Sequence, residues 1–166
     1  MSTPAGRAGA GERDDVVLRG RTDDDLAALV AWNPDPESVY LFAASSLQWP
    51  LTEEQLTALN AVESRTAWTI ADASAPEHAI GQADLILNGE RARISRVIVD
   101  PARRGERLGR TMMLLLLAKA RELGATCADL NVIDGNEPAL RTYRGLGFVD
   151  EFPPEYPGMV LMKVEL

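Results

Sequence analysis

The stretch Arg91-Ala92-Arg93-Ile94-Ser95-Arg96-Val97-Ile98-Val99-Asp100-Pro101-Ala102-Arg103-Arg104-Gly105-Glu106-Arg107-Leu108-Gly109-Arg110 decides how the chain reads. Arg91 to Val99 predicts a strand that stops at Asp100-Pro101, because proline has no N–H to continue a ladder. The apolar residues that follow predict a long helix over 105–123, closed by Gly124 just past the last periodic leucine. A strand feeding a glycine-containing turn into a helix aims several unpaired backbone N–H groups at one spot, and the helix dipole adds to the attraction for an anion. Gly105 and Gly109 let a ligand approach the backbone without a Cβ in the way. Arg104, Arg107 and Arg110 can add charge-assisted hydrogen bonds, worth roughly 1.5–3 kcal/mol each when well formed. The turn has the makings of a phosphate site. It is not a Walker loop, since no Gly-Lys-Ser/Thr follows, and the Gly-x-Gly-x-x-Gly dinucleotide fingerprint is absent.

The same window holds seven arginines against Asp100 and Glu106, a net +5 in a chain whose formal charge is −8, which leaves −13 for the remainder. A basic island in an acidic chain points to a local anion site, with repulsion of polyanions elsewhere, so no nucleic-acid partner is expected. The alternative is a solvated, ion-paired face. With 46% hydrophobic and 25% charged residues the composition is globular, not disordered. A length of 166 residues corresponds to one domain, long enough to bury a core without staples. The sole cysteine, Cys127, rules out an intrachain disulfide and a cysteine-based zinc site, and no metal-ligand spacing is present. Residues 1–14 lack periodicity and read as a disordered tail ahead of a domain over 15–166. They contain no apolar core of a signal peptide, and the longest apolar run, Met112 to Ala118, is far short of the roughly 20 residues of a membrane span. A cytoplasmic protein with no membrane partner is the expectation.

Outward from the central stretch, Val16 to Arg19 predicts a first strand. Thr22 caps a helix with Asp23, Asp24 and Asp25 at its positive end, and its Leu26, Leu29, Val30 stripe stops at Asn33-Pro34. A second helix is expected over Pro36 to Ala44, and a third opens at Thr52 and runs to about Ala61. Thr66 to Ala71 and Ala79 to Leu87 read as strands, and Asn88-Gly89 as a type I′ hairpin turn. Beyond the long helix, Thr126 to Ile133 is a strand, Asn136 caps a helix ended by Gly145 and Gly147, and Phe148 to Glu151 pairs with Met159 to Glu165. The order β-ααα-βββ-α-β-α-ββ describes a mixed α/β single domain.

Two segments carry a family resemblance. The strand Ile94 to Val99 with the turn Arg104-x-x-Arg107-x-Gly109 resembles the acetyl-CoA-binding motif of the GNAT N-acetyltransferase superfamily, Arg/Gln-x-x-Gly-x-Gly/Ala, with Arg107 in place of its first glycine. Downstream, Asn136-x-x-Ala139-x-x-x-Tyr143-x-x-x-Gly147-Phe148 resembles the family's strand–helix segment at each named residue. The resemblance implies an α/β (α+β) GNAT-like fold: a mixed, mostly antiparallel central sheet of about seven strands flanked by helices. It implies acetyl-CoA as cofactor, with the backbone of Val97 and Val99, and Ile98 between them, pairing with the pantetheine arm. The amides of Arg104, Gly105, Glu106, Arg107, Leu108, Gly109 and Arg110 would cradle the pyrophosphate, and Asn136 would hydrogen-bond near the pantetheine. Tyr143 would sit by the thioester sulfur and protonate the departing thiolate, a role that suits a phenol; the alternative is a buried aromatic of the Ala139, Leu140, Tyr143, Leu146 stripe.

No glutamate stands on the fourth strand to act as base. Asp84, Asp129 and Asp134 are candidates by type but read as solvated or capping carboxylates, so deprotonation through water is the default. The opening Thr22-x-x-Asp25 with Trp32-Asn33 also resembles the ribosomal-protein alanine acetyltransferase branch. Trp32, Tyr40, Phe42 and Trp49, close to carboxylates in sequence, are candidates to bind a cationic or peptide-like amine, with core packing as the alternative. The expected activity is acetyl transfer to a primary amine of a small molecule or peptide by direct attack in a ternary complex, with a homodimer as the assembly common in the family. The competing reading is a noncatalytic acyl-CoA-binding sensor domain on the same fold.

Overall fold

The structure is a computed structural model that describes residues 13–59, 61 and 64–166. The tail expected over residues 1–14 lies outside the described residues except for Arg13 and Asp14, and Arg13 donates to the Glu106 carbonyl at 3.0 Å. Seven strands form one sheet in the order β1-β2-β3-β4-β5-β7-β6. They are β1 (Val16–Gly20), β2 (Arg65–Asp72), β3 (Ala79–Asn88), β4 (Arg91–Val99), β5 (Cys127–Ile133), β6 (Val149–Glu151) and β7 (Met159–Glu165). Only β4 and β5 run parallel, because the helix α4 (Leu108–Glu122) carries the chain back between them. The helices α1 (Leu26–Ala31), α2 (Pro36–Ala43) and α3 (Glu53–Leu59) precede β2, and α5 (Glu137–Gly145) follows β5. The expected element order and the mixed, mostly antiparallel seven-stranded sheet are both present.

Two apolar clusters divide the faces of the sheet. Leu108, Met112, Met113, Leu116, Leu117 and Ala120 of α4 bury against Ile70, Leu85, Ile94, Leu130 and Met162. The second cluster gathers Leu26, Leu29, Trp32, Val39, Phe42 and Leu56 from α1–α3, with Ile98 of β4 packed against it. β4 serves both. Its pairing with β3 slips by one residue, so that Ala83 faces both Arg96 and Val97, and Arg96 takes a left-handed φ of 51°. This bulge keeps Val97 and Val99 on the α4 side with Ile94, while Ile98 turns to the helical cluster.

Three local expectations are corrected. The β3–β4 turn is Gly89-Glu90, because Asn88 pairs with Arg91, and only Gly89 has positive φ; that pattern belongs to type II′, not I′. The helix expected from residue 105 begins at Leu108, because Gly105 and Arg107 sit at φ 86° and 59°, which an α-helix does not admit. Asn136 occupies the position before α5 but makes no side-chain capping bond.

Candidate active site

β4 and β5 pair only at Arg91↔Cys127, Ala92↔Ala128 and Arg93↔Asp129. Beyond that point the two strands separate, which leaves the following edge of β4 without a strand partner on this side. Asp129 closes the seam: its buried carboxylate accepts from both Arg91 and Arg93. The separation opens a cavity of about 710 Å³, walled by Val97 of β4, Asn131 and Val132 of β5, Asn136, and Tyr143 of α5, with Tyr40 and Phe42 of α2 across from them.

Tyr143 is 8% exposed, packs its ring against Phe148 at 5.9 Å between centroids, and still lines the cavity. Burial pushes its phenol up to about 12, since the tyrosinate would lose its hydration. The phenol is therefore a neutral donor throughout the neutral range. Asn136, freed from capping, also lines the cavity.

The arginine-rich turn opens at the far end of β4. The seven arginines of the basic window separate into two groups. Arg91 and Arg93 are held by Asp129, with Glu151 and Glu155 behind them; Arg96 is held by Asp84, and Arg103 by Asp72 and Glu106. Arg104, Arg107 and Arg110 make no ion pair among the described residues. Those three surround the start of α4, a 15-residue helix whose N-cap residue, Arg107, supplies no side-chain cap. Its first-turn N–H groups thus face outward together with the uncompensated positive charge. A Cβ built on Gly109 meets no atom within 4 Å, so open space lies in front of that backbone. Four of the seven arginines are thus ion-paired, and three make no ion pair among the described residues.

Of the aromatic acceptor candidates, Tyr40 (51% exposed) and Phe42 (6%) line the cavity. Trp32 is buried in the α1–α3 cluster, and Trp49 is half exposed with its indole donating to the Pro34 carbonyl at 3.3 Å; neither borders the cavity. Asp84 and Asp129 are not solvated: both are fully buried at the centre of arginine pairs, while Asp134 is exposed. Arg65, which the sequence did not single out, and Arg96, singled out only as part of the basic window, also line the cavity. Asp84, a lone charge in the apolar run of β3, was the signal that a partner cation lies on a neighbouring strand. A second cavity, of about 610 Å³, lies around Arg91, Arg93, Asp129, Glu151 and Glu155, whose charges are paired with one another.

Residues 20–148 match the model of the Acetyltransferase (GNAT) family. The chain belongs to the GNAT acetyltransferase family. A curated relative, the uncharacterized protein MJ1062 of Methanocaldococcus jannaschii, is 26% identical over 143 residues, which are 83% of this chain and 29% of the relative. The chain thus spans less than a third of that protein's length. Among solved structures, a domain from Methanocaldococcus jannaschii superposes with a TM-score of 0.76 at 23% identity, covering 91% of this chain and 98% of the domain. The spermidine N-acetyltransferase of Vibrio cholerae, solved in complex with CoA and spermine, superposes with a TM-score of 0.75 at 20% identity over 92% of this chain and 96% of that one. These structural likenesses are likenesses of fold. No helix among the described residues is long and apolar enough to cross a membrane.

Proposed function

We propose that the protein is an N-acetyltransferase that moves the acetyl group of acetyl-CoA to a primary amine within a ternary complex. The observation that carries this reading is the separation of β4 from β5 after Arg93 and Asp129, with Tyr143 on the wall of the resulting cavity and, past the end of β4, a turn whose Arg104, Arg107 and Arg110 make no ion pair among the described residues. The described residues fit acetyl-CoA along its length. The amides from Arg104 to Arg110 and the three unpaired guanidiniums suit the phosphates. The free edge of β4 at Val97, Ile98 and Val99 suits the amides of the pantetheine arm, as an added strand would. Asn136 offers an amide beside it.

Acetyl-CoA supplies the activated acyl group: the amine attacks the thioester carbonyl, a C–N bond forms, and the C–S bond breaks to leave the CoA thiolate. Tyr143 holds a proton at its hydroxyl for that sulfur. At about 12 the phenol is a weaker acid than an alkyl thiol near 8.5. Its contribution is thus a hydrogen bond that strengthens as negative charge builds on sulfur, and the released thiolate takes its proton from water. The proton lost by the amine leaves through water, since Asp84 and Asp129 are engaged by arginines.

The test is calorimetric titration with acetyl-CoA, followed by measurement of CoA release against a broad panel of primary amines. Binding with turnover is the expected outcome. Binding with no turnover across the panel would favour a sensor domain instead.

A further inference from the structure

The wall of the cavity carries a charge that acetyl transfer leaves unused. Arg65 of β2 and Arg96 of β4 both line it, with side chains only 9% and 10% exposed. They share a single carboxylate oxygen: Arg65 Nη1 donates to Asp84 Oδ2 at 2.8 Å and Arg96 Nη1 to the same atom at 3.0 Å. The other oxygen of Asp84 accepts from Gln82 Nε2 at 3.1 Å. Each guanidinium keeps a buried Nε with no hydrogen-bond partner among the described residues. Two buried cations against one carboxylate leave a positive excess. Burial pushes the Arg96 pKa down, the direction expected where charge is poorly compensated. The third arginine of the cavity, Arg93, is neutralised by Asp129 and Glu155. No aspartate or glutamate lines the cavity among the described residues.

An uncompensated buried cation is costly, and the remedy is an anion that brings acceptors to its free donors. We infer that the acceptor amine carries an anionic group, a carboxylate or a phosphate, which Arg65 and Arg96 hold in this cavity. Ser46, whose hydroxyl accepts from Arg96 Nη2 at 3.1 Å and donates to the Ala43 carbonyl at 2.7 Å, borders the same space. Arg96 precedes Val97 and Val99 on β4, whereas the phosphate turn follows them, so the anion of the acceptor and the phosphates of CoA occupy opposite ends of the site. A polyamine would bring further positive charge against Arg65 and Arg96, and the cavity lacks the carboxylates to receive it. The inference rests on the acetyltransferase reading and adds the class of its acceptor.

The experiment compares matched acceptors on the wild-type protein, after calorimetry has established acetyl-CoA binding. CoA release is measured with glycine against glycinamide, glucosamine 6-phosphate against glucosamine, and spermidine. The anionic member of at least one pair should exceed its neutral twin by roughly 10²-fold in kcat/KM, and the pair that responds tells carboxylate from phosphate. In Arg96→Gln the advantage should fall at least tenfold while acetyl-CoA affinity holds, a ratio that general loss of structure does not move. If that variant does not fold, the wild-type comparison decides alone. Neutral acceptors or spermidine matching the anionic ones would overturn the inference and leave the acetyltransferase reading intact. Should no acceptor turn over, titration of glycine and glucosamine 6-phosphate into CoA-saturated protein decides: binding of either supports the inference, and binding of neither overturns it. A wild-type protein that fails to bind acetyl-CoA overturns both readings.

Discussion

Tyr143→Phe keeps the ring that packs on Phe148 and removes only the hydroxyl. Turnover should fall roughly 10²–10⁴-fold, the range of a positioned acid, with little change in the KM for acetyl-CoA or in Tm. Retention of near-full turnover would mean that the ring serves packing alone. Because burial raises the phenol to about 12, the wild-type rate should hold its plateau above the value near 10 of an exposed phenol. An alkaline fall centred near pH 10 that vanishes in Tyr143→Phe would contradict the burial argument. Gly109 gives a second test at this scale. A Cβ there meets nothing in the protein and the backbone φ is not left-handed, so Gly109→Val should fold normally. It should nevertheless weaken acetyl-CoA binding by about tenfold or more, as its side chain fills the approach to the α4 amides. Unchanged affinity by calorimetry would remove the phosphates from this turn.

The order of strands and helices was legible because the elements differ in pattern: alternation in β5, an apolar run in β3, a period near 3.6 in α4, with glycine or proline at several boundaries. Its failures are equally physical. Asn88-Gly89 signals a hairpin, but the register chosen by Leu85↔Ile94 and Ile86↔Arg93 moves the turn one residue on, to Gly89-Glu90. The start of α4 was placed too early because nothing in an arginine betrays a left-handed backbone, and Arg107 stands where the family pattern has a glycine. That substitution predicts its own reversal. Arg107→Gly relieves a left-handed residue at about 1 kcal/mol but loosens the unfolded chain by a similar amount. Its Tm should stay within a few degrees of wild type, while acetyl-CoA affinity loses its share of charge attraction. The same three unpaired arginines make affinity fall with salt; an affinity indifferent to ionic strength would deny them contact with phosphate. The turn and Tyr143 were thus readable from motif spacing, whereas Arg65 and Arg96 were not, because their convergence on Asp84 depends on the registers of three strands.

Across the whole molecule, the sheet buries one apolar face under α4 and a second face that is heavily polar, with Thr69, Gln82, Asp84 and Asp129 all excluded from solvent. Asp129→Ala should be a damaging carboxylate loss. It leaves Arg91 and Arg93 with only the more exposed Glu151 and Glu155 at the seam where β4 and β5 part, a change worth about 3 kcal/mol and readable as a drop in Tm. Asp25 contributes to acid behaviour. Burial alone would push its carboxyl up, but Arg19, the Thr22 N–H and the Thr69 hydroxyl outweigh burial and hold it below the usual range. The folded value is depressed, so its stabilisation is complete above the ordinary carboxyl value of 3.8 and is lost as pH falls through the folded one. Acid-unfolding curves of wild type and Asp25→Asn should therefore converge as pH falls below about 4. The bulge at Arg96 has a further consequence for inheritance. Upstream and downstream halves of β4 are one residue out of phase, so the extra residue sets which faces the downstream half presents. Straightening the strand at its present length would exchange the destinations of Val97, Ile98 and Val99, whereas deleting one residue at the bulge would restore regular alternation and leave all three where they are. Lineages carrying this domain should accordingly shed a residue at the bulge more readily than they gain one, because a further insertion adds a second residue without a place in the ladder.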